Sequence, residues 1–270
     1  MSRPEDCVDL VAHPMQLFWH YVRPAKDIAG GGDPRATRDL ARFIQGSEAP
    51  APVGSEPKVW FAKQAILVWL ASFGALIILS TVQVWNIRIG LVVSEVGLAL
   101  PPLLYVTFKK YGVEALGIRT HAIPRNFVRG LAIGPLTFLA GTLIAGTLIY
   151  VFPPPSWYLE VFTSITPTSL PDLATWMILM STIVAPCEEI LSRGLVQQGM
   201  EFRYGKRMGL LYSSILFGVL HLDPWRSPAT AVMGLVVGYL YQKQGYNLLA
   251  PIGAHAANNC LAMIVAYFVR

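Results

Sequence analysis

The sequence predicts an all-α membrane protein: a polytopic bundle of about seven transmembrane helices that follows a cytosolic N-terminal segment. The chain of 270 residues is 54% hydrophobic and 14% charged, with a mean hydropathy of +0.48, whereas soluble domains carry about 25% charged residues. Its apolar runs are long enough for a hydrocarbon core that needs roughly 20 helical residues. Its basic residues fall mainly between those runs. These observations indicate a multi-pass integral membrane protein.

Residues 1–57 are polar and rich in glycine and proline, and they are predicted to form a cytosolic segment without visible chemistry. Leu10–Tyr21 suits a short interfacial helix, because its aromatic residues could anchor it at a membrane surface. Pro34–Gln45 suits a second helix, since an aspartate N-cap precedes a first-turn proline. Glu48–Pro57, with three prolines, is the predicted linker. We expect the segment to tether the chain or to dock a partner.

Residues 58–270 are predicted to form the helical bundle, with helices at about Ala65–Trp85, Ile89–Phe108, Phe127–Phe152, Leu173–Phe202, Met208–Leu222, Ala229–Tyr241 and Leu248–Phe268. The fifth and sixth helices are short, so they could be re-entrant or buried rather than spanning. The third helix contains small residues that would permit the close approach of a neighbouring helix, namely Gly130, Gly134, Gly141, Ala145 and Gly146. The Pro-rich stretch Pro153–Asp172 is predicted to be a loop.

The distribution of basic residues predicts a cytoplasmic N-terminus and an external C-terminus. In the short loops, nine basic residues lie on the predicted inner side and three on the outer side, the inner ones being Lys109, Lys110, Arg119, Arg125, Arg129, Arg203, Lys206, Arg207 and Lys243, and the outer ones Arg88, Arg226 and Arg270. This asymmetry follows the positive-inside rule. The formal net charge of +5 therefore reflects membrane topology, and no nucleic-acid partner is expected.

Three ionisable residues, Glu188, Glu189 and Arg193, stand close together in the fourth predicted helix. Ionisable groups at membrane depth cost about 2.5 to 3.5 kcal/mol each, so they are usually paired or functional. Glu189 and Arg193 are four residues apart and can pair on one helix face. Glu188 lies about 100° around the helix and stays free as a candidate general base. Pro186 should loosen the helix here, and Glu95 in the second helix should face the bundle interior or a watered cavity.

Two further pairs of polar or aromatic side chains lie one helical turn apart, Phe217 with His221 and His255 with Asn259. Taken singly, each histidine could be a hydrogen-bonding group between helices, and the asparagine could serve the same packing role. Taken together with Glu188, they provide an acid, two imidazoles and an amide on three helices. That combination is typical of a site that activates water and stabilises an oxyanion.

These residues form three motifs: EExxxR at Glu188–Arg193, FxxxH at Phe217–His221 and HxxxN at His255–Asn259. The motifs resemble those of the CPBP family, the CAAX-processing and bacteriocin-processing (Abi) intramembrane proteases, which include the type II CAAX prenyl proteases. The resemblance covers about residues 115–265, with the same order, spacing and helix placement. One departure is Ser192, where an aromatic residue commonly precedes the arginine; it bears only on local packing.

The resemblance implies a hydrolase, an intramembrane endopeptidase that is similar to metalloproteases in its chemistry. By analogy, Glu188 and His221 would activate a water, while His255 and Asn259 would hold the oxyanion. Structural support would come from Glu189, Arg193 and Phe217. The implied partners are the lipid bilayer and a peptide or protein substrate that reaches the site from the membrane. CAAX-type processing of a prenylated C-terminus and cleavage of a bacteriocin-like peptide both agree with the sequence.

The family has also been described as zinc-dependent, and Glu188, His221 and His255 could supply an open three-ligand zinc site. However, the sequence has no HExxH motif, and a water activated by glutamate and histidine needs no metal. We therefore expect a metal-free mechanism without a cofactor, with zinc as the alternative.

Two non-protease functions are weighed against this hypothesis. A non-catalytic membrane partner on the same scaffold, such as an immunity factor or a regulator of a sensor kinase, would not need intact motifs, and all three are intact here. A small transporter would show paired repeats of broken helices. The sequence has no internal repeat of that kind, so the endopeptidase is favoured.

Overall fold

A computed structural model describes residues 60–119 and 123–269 of the chain. The chain divides into a unit of residues 1–53 and a unit of residues 54–270, and the described residues belong to the second unit. The helices predicted at Leu10–Tyr21 and Pro34–Gln45, and the predicted linker, lie outside the described residues. The described part is helical and contains no strand, which confirms the all-α fold class.

The helices of the described part agree with the predicted bundle to within a few residues at most of their ends. We number them α1 Ala62–Ser80, α2 Ile87–Phe108, α3 Ile123–Val151, α4 Ser156–Ser164, α5 Leu170–Leu179, α6 Ala185–Glu189, α7 Gln198–Val219, α8 Ser227–Lys243 and α9 Leu249–Val269. The α2 helix continues through its two prolines. Its start is capped by the Asn86 side chain, which accepts hydrogen bonds from the amides of Arg88 and Ile89 at 3.1 and 3.0 Å.

The prediction that Pro153–Asp172 is a loop is wrong in part, because α4 lies within it. The run of prolines that suggested a loop ends at Pro155, directly before the first residue of α4. A proline at a helix start costs little, since the amide it lacks would have no partner there. The exposed side chains of α4 include Trp157, Leu159 and Phe162, an outward apolar surface that suits a helix at a membrane interface.

The segment predicted as one helix, Leu173–Phe202, is built from alternating helix types. Two π-helical stretches, Met180–Val184 and Ile190–Gln197, flank the short α6 that begins with Ala185 and Pro186. Proline removes a backbone hydrogen bond and crowds the preceding turn, and wider π-turns accommodate both effects. The loosening expected at Pro186 is therefore present. A further break within α7 lies at Gly205, whose φ of 79° favours glycine.

Five helical stretches of the described residues are long and apolar enough to cross a membrane, by length and composition: Ala62–Val84, Ile87–Phe108, Arg125–Val151, Leu170–Val219 and Leu249–Val269. The break at Gly205 divides the fourth stretch into two helices, and α8, with 17 residues, is not among the five. The chain is an integral membrane protein, while the count of seven crossings and the cytoplasmic N-terminus stay predictions.

Close helix contacts place α9, which carries His255, against α3. A Cβ atom added at Gly130 would clash with the Ala250 carbonyl oxygen, and one at Gly134 would clash with the Ala257 Cβ. These two glycines therefore permit the close approach that their size predicted. Gly141 and Gly146 differ, since an added Cβ would meet nothing within 4 Å at either position. The small-residue contact is confined to the first part of α3.

Candidate active site

The two adjacent glutamates lie on α6, which packs against α2 and α9. The Glu189 side chain is fully buried, and Glu188 is 8% exposed. Because a carboxylate at this depth loses its hydration, each must find another source of stabilisation. The two residues differ in the partners that the structure gives them, and this difference defines the site.

Glu189 pairs with Arg193, as its spacing predicted. Arg193 Nε lies 3.1 Å from Glu189 Oε2, and both side chains are almost completely buried. The guanidinium also lies 4.3 Å from the centre of the Phe217 ring, a cation–π contact. Phe217 is itself fully buried and touches the rings of His221 and His255 edge-on, with centroids 5.3 and 5.8 Å apart. Phe217 thus joins the ion pair to both histidines.

Glu189 has a second partner that sequence reasoning missed. Its Oε1 lies 2.8 Å from Nδ1 of His255, a buried contact between residues 66 positions apart. A proton on Nδ1 makes this a hydrogen bond donated to the carboxylate, which fixes the ring and turns Nε2 away from Glu189. No local spacing could have indicated the contact, because it joins α6 to α9.

Glu188 faces both histidines through one oxygen. Its Oε2 lies 4.0 Å from Nε2 of His221 and 3.8 Å from Nε2 of His255. Both distances exceed a direct hydrogen bond, and within the described part of the chain this buried oxygen has no hydrogen-bond partner. His221 Nδ1 lies 3.0 Å from the Phe217 carbonyl oxygen, so Nδ1 is its donor and Nε2 is free to accept. The sequence-derived set of Glu188, His221 and His255 thus converges on one point.

Asn259 is placed less directly. It lies one turn beyond His255 on α9, and its Oδ1 accepts a hydrogen bond from Nδ2 of Asn258 at 3.1 Å. Among the described contacts, Asn259 bonds to Asn258 and not to Glu188 or either histidine. Its position one turn from His255 on α9 is the observation that relates it to the site.

Glu95 belongs to the surroundings of the site. It is 6% exposed on α2, inside the bundle as expected, and its Oε2 has no hydrogen-bond partner among the described residues. It lies close enough to Glu188 and Cys187 for electrostatic interaction with both. The site therefore contains a third buried carboxyl group whose closeness to Glu188 could not be read from the sequence.

The donor geometry around Glu188 differs from that of a zinc site. Among the residues that the structure describes, no group of three His, Cys, Asp or Glu side chains is arranged to hold a metal ion. Donors that share one tetrahedral zinc with bonds of about 2.0 to 2.1 Å lie roughly 3.3 Å apart. Glu188 Oε2 is 4.0 and 3.8 Å from its two histidine nitrogens. Glu188 Oε2 therefore lies farther from both nitrogens than two ligands of one zinc ion would lie from each other.

Comparison with known proteins shows that the stretch carrying the three motifs is similar to one family. Residues 170–261 match the family model described as Rce1-like, type II CAAX prenyl endopeptidase. The searches of curated proteins and of solved structures returned no match. The matched stretch contains all three motifs, and it confirms the resemblance that they indicated. The chain is thus an integral membrane protein that, over residues 170–261, is similar to the Rce1-like type II CAAX prenyl endopeptidases.

Proposed function

We propose that this protein is an intramembrane endopeptidase of the CAAX type, in which Glu188 and His221 activate the water that hydrolyses the peptide bond. The observation that carries the proposal is the buried Oε2 of Glu188, which has two imidazole Nε2 atoms within 4.0 Å. Glu188 Oε2 and His221 Nε2 are both acceptors and lie 4.0 Å apart. They can therefore share a single water that donates a normal hydrogen bond to each.

In the proposed mechanism, Glu188 takes a proton from the shared water while the water oxygen bonds to the peptide carbonyl carbon. The negative charge moves to the carbonyl oxygen, which makes a tetrahedral intermediate. The C–N bond then breaks, and the proton held by Glu188 passes to the leaving amine. His221 orients the water, since its Nδ1 is held by the Phe217 carbonyl and its Nε2 can accept.

The oxyanion would be stabilised by His255 and Asn259. His255 is oriented by Glu189, whose charge also faces Arg193. When Nε2 carries a proton, it becomes a donor aimed toward the reacting centre, and the Glu189 carboxylate stabilises the resulting cation. The Asn259 amide, one turn away, is the second proposed donor. Such donors in a water-poor site typically contribute a factor of about 10² to 10³ to kcat.

The proposed substrate is a CAAX-type C-terminal peptide carrying a prenyl group. Support comes from the Rce1-like description of residues 170–261 and from the apolar outer surface of the bundle, where exposed residues such as Leu139 and Leu143 would let a lipidated substrate approach. A peptide panel with and without a prenyl group separates this substrate from an unmodified, bacteriocin-like one.

The test is cleavage of that panel by the purified full-length protein and its variants. Glu188→Gln and His221→Ala should each lose at least about 10²-fold in kcat, the lower range of general acid–base catalysis. Glu114→Gln, which changes an exposed carboxylate outside the site, is the control and should keep wild-type activity. Full cleavage by both site variants would refute the site, and a cellular phenotype that survives Glu188→Gln would instead support a non-catalytic partner.

A further inference from the structure

A cavity of about 410 Å³ lies between the start of α1 and the turns of α7 that precede Gly205, away from the candidate active site. Its lining combines two basic side chains, Lys63 and Arg203, with apolar ones that include Ile66, Leu67 and Met200. This combination of paired cations and hydrocarbon is unlike the candidate active site, and nothing in the proposed peptidase chemistry uses it.

The walls of the cavity are held by close contacts. Trp60 Nε1 donates a hydrogen bond of 2.7 Å to the Leu195 carbonyl oxygen. The rings of Phe61 and Phe202 meet edge-on, with centroids 5.1 Å apart. A Cβ added at Gly199 would lie 2.7 Å from the Ala65 Cβ, so the two walls touch beside the opening. The cavity is therefore an open pocket on the surface of the bundle, and its walls are held in place by packed helices.

Among the described residues, the two cations have no compensating acid. In that part of the chain no aspartate or glutamate lines the cavity, and neither Lys63 nor Arg203 forms an ion pair. The Arg203 guanidinium instead lies 5.6 Å from the centre of the Tyr204 ring. Like charges that share a cavity repel each other, and an anion between them would remove that repulsion.

The apolar part of the site continues along the outside of α1. Ile66, Leu67 and Leu70 follow Lys63 at helical positions i+3, i+4 and i+7, so all four share one face. Leu67 and Leu70 are 56% and 52% exposed on a stretch apolar enough to lie in a membrane. A ligand on this face would meet cations first and then hydrocarbon, from about 4.5 Å farther along at Ile66 to about 10 Å at Leu70, at 1.5 Å per residue.

We propose that this cavity binds an anionic phospholipid, with its phosphate between Lys63 and Arg203 and an acyl chain along Ile66, Leu67 and Leu70. Basic pockets between transmembrane helices recognise anionic head groups in this way. A soluble anion would use the two cations but leave the apolar stripe uncovered. A zwitterionic lipid carries its own cation near the phosphate, so it gains less electrostatic attraction from Lys63 and Arg203.

The experiment is native mass spectrometry of the full-length protein in detergent, titrated with phosphatidylglycerol or phosphatidylcholine. The wild-type protein should retain phosphatidylglycerol preferentially. Lys63→Gln and Arg203→Gln should each weaken its binding about fivefold and the double variant about 25-fold, since each basic residue near an anionic surface contributes independently. Phosphatidylcholine binding should change little.

The matched control is Lys109→Gln. Lys109 is exposed at the end of α2, and this end meets the start of α1 through the ring contacts of Trp60 with Tyr105 and Tyr111. Its loss should leave lipid binding unchanged. Leu67→Gln should weaken phosphatidylglycerol binding without altering the affinity for glycerol phosphate, which has the head group but no chain.

Several results would overturn the proposal: equal affinity for the two lipids, wild-type binding by the double variant, or an equal loss in Lys109→Gln. Displacement of phosphatidylglycerol by glycerol phosphate at equal concentration would reduce the site to a soluble-anion site. If the double glutamine variant fails to fold, the exchange variant Lys63→Arg/Arg203→Lys, which keeps both charges, must retain the lipid preference, and added salt must weaken it.

Discussion

At the residue scale, the two adjacent glutamates have different environments and hence different expected roles. Glu189 contacts Arg193 and His255 and is fully buried. Glu188 presents an unpartnered oxygen to His221 and His255. The first arrangement suits a residue that supports the site, and the second suits one that acts on a water.

The first prediction concerns stability against activity. Glu189→Gln leaves the buried Arg193 without its counter-charge and should cost about 3 to 5 kcal/mol of folding free energy, with loss of activity because His255 loses its orientation. Glu188→Gln should lose activity with a much smaller change in stability, since Glu188 neutralises no cation. Thermal unfolding in detergent and peptide cleavage measure the two effects.

The control for this prediction is the double variant Glu189→Gln/Arg193→Gln. Removing both partners of a buried ion pair is usually less harmful than removing one, so the double variant should recover part of the lost stability. It should stay inactive, because His255 still lacks its carboxylate. A double variant less stable than Glu189→Gln would contradict the pairing.

At the element scale, α4 is attached to the turn that follows His221. The Tyr158 hydroxyl donates a hydrogen bond of 2.8 Å to Asp223 Oδ2, while Asp223 Oδ1 accepts from the amides of Trp225 and Arg226. The Trp225 ring lies against Tyr158, with centroids 4.7 Å apart, and its Nε1 donates to the Phe152 carbonyl. These contacts connect α4 and the end of α3 to a histidine of the candidate site.

We expect Tyr158→Phe to reduce kcat by loosening this turn, whereas Tyr150→Phe, at an 88% exposed position, should change nothing. Burial and the Asp223 hydrogen bond raise the pKa of Tyr158 to about 12. A raised pKa favours the protonated tyrosine in the folded state. Its contribution to stability is therefore complete below the usual value near 10 and is lost as pH rises through about 12. Melting temperatures across this window should fall more for wild type than for Tyr158→Phe.

Helix packing gives a second prediction at this scale. Gly130→Ala places a methyl group against the Ala250 carbonyl oxygen of α9, whereas Gly141→Ala meets nothing within 4 Å. The first variant should lose about 1 to 3 kcal/mol of stability from overpacking and should lower activity, because α9 carries His255. The second should behave as wild type in thermal unfolding and in cleavage. Equal behaviour of the pair would contradict the close α3–α9 contact.

At the scale of the whole molecule, the question of metal dependence can be tested directly. A mechanism based on Glu188 and His221 predicts that a zinc chelator leaves cleavage unchanged after prolonged incubation. Activity that is lost with the chelator and restored by zinc would favour the zinc-dependent mechanism. In that case the ligand atoms of Glu188, His221 and His255 would have to move closer together by about half an ångström or more. Zinc content of the purified protein, measured by elemental analysis, is the accompanying control.

The sequence by itself determined the membrane class, most helix positions and the Glu189–Arg193 pair, because hydropathy and spacing along one helix are local properties. The three motifs also identified Glu188, His221 and His255 as one set. Only the tertiary structure decided that His255 bonds to Glu189, that Glu95 approaches Glu188, and that α4 holds the turn after His221. These contacts join separate helices, and their geometry depends on how those helices pack.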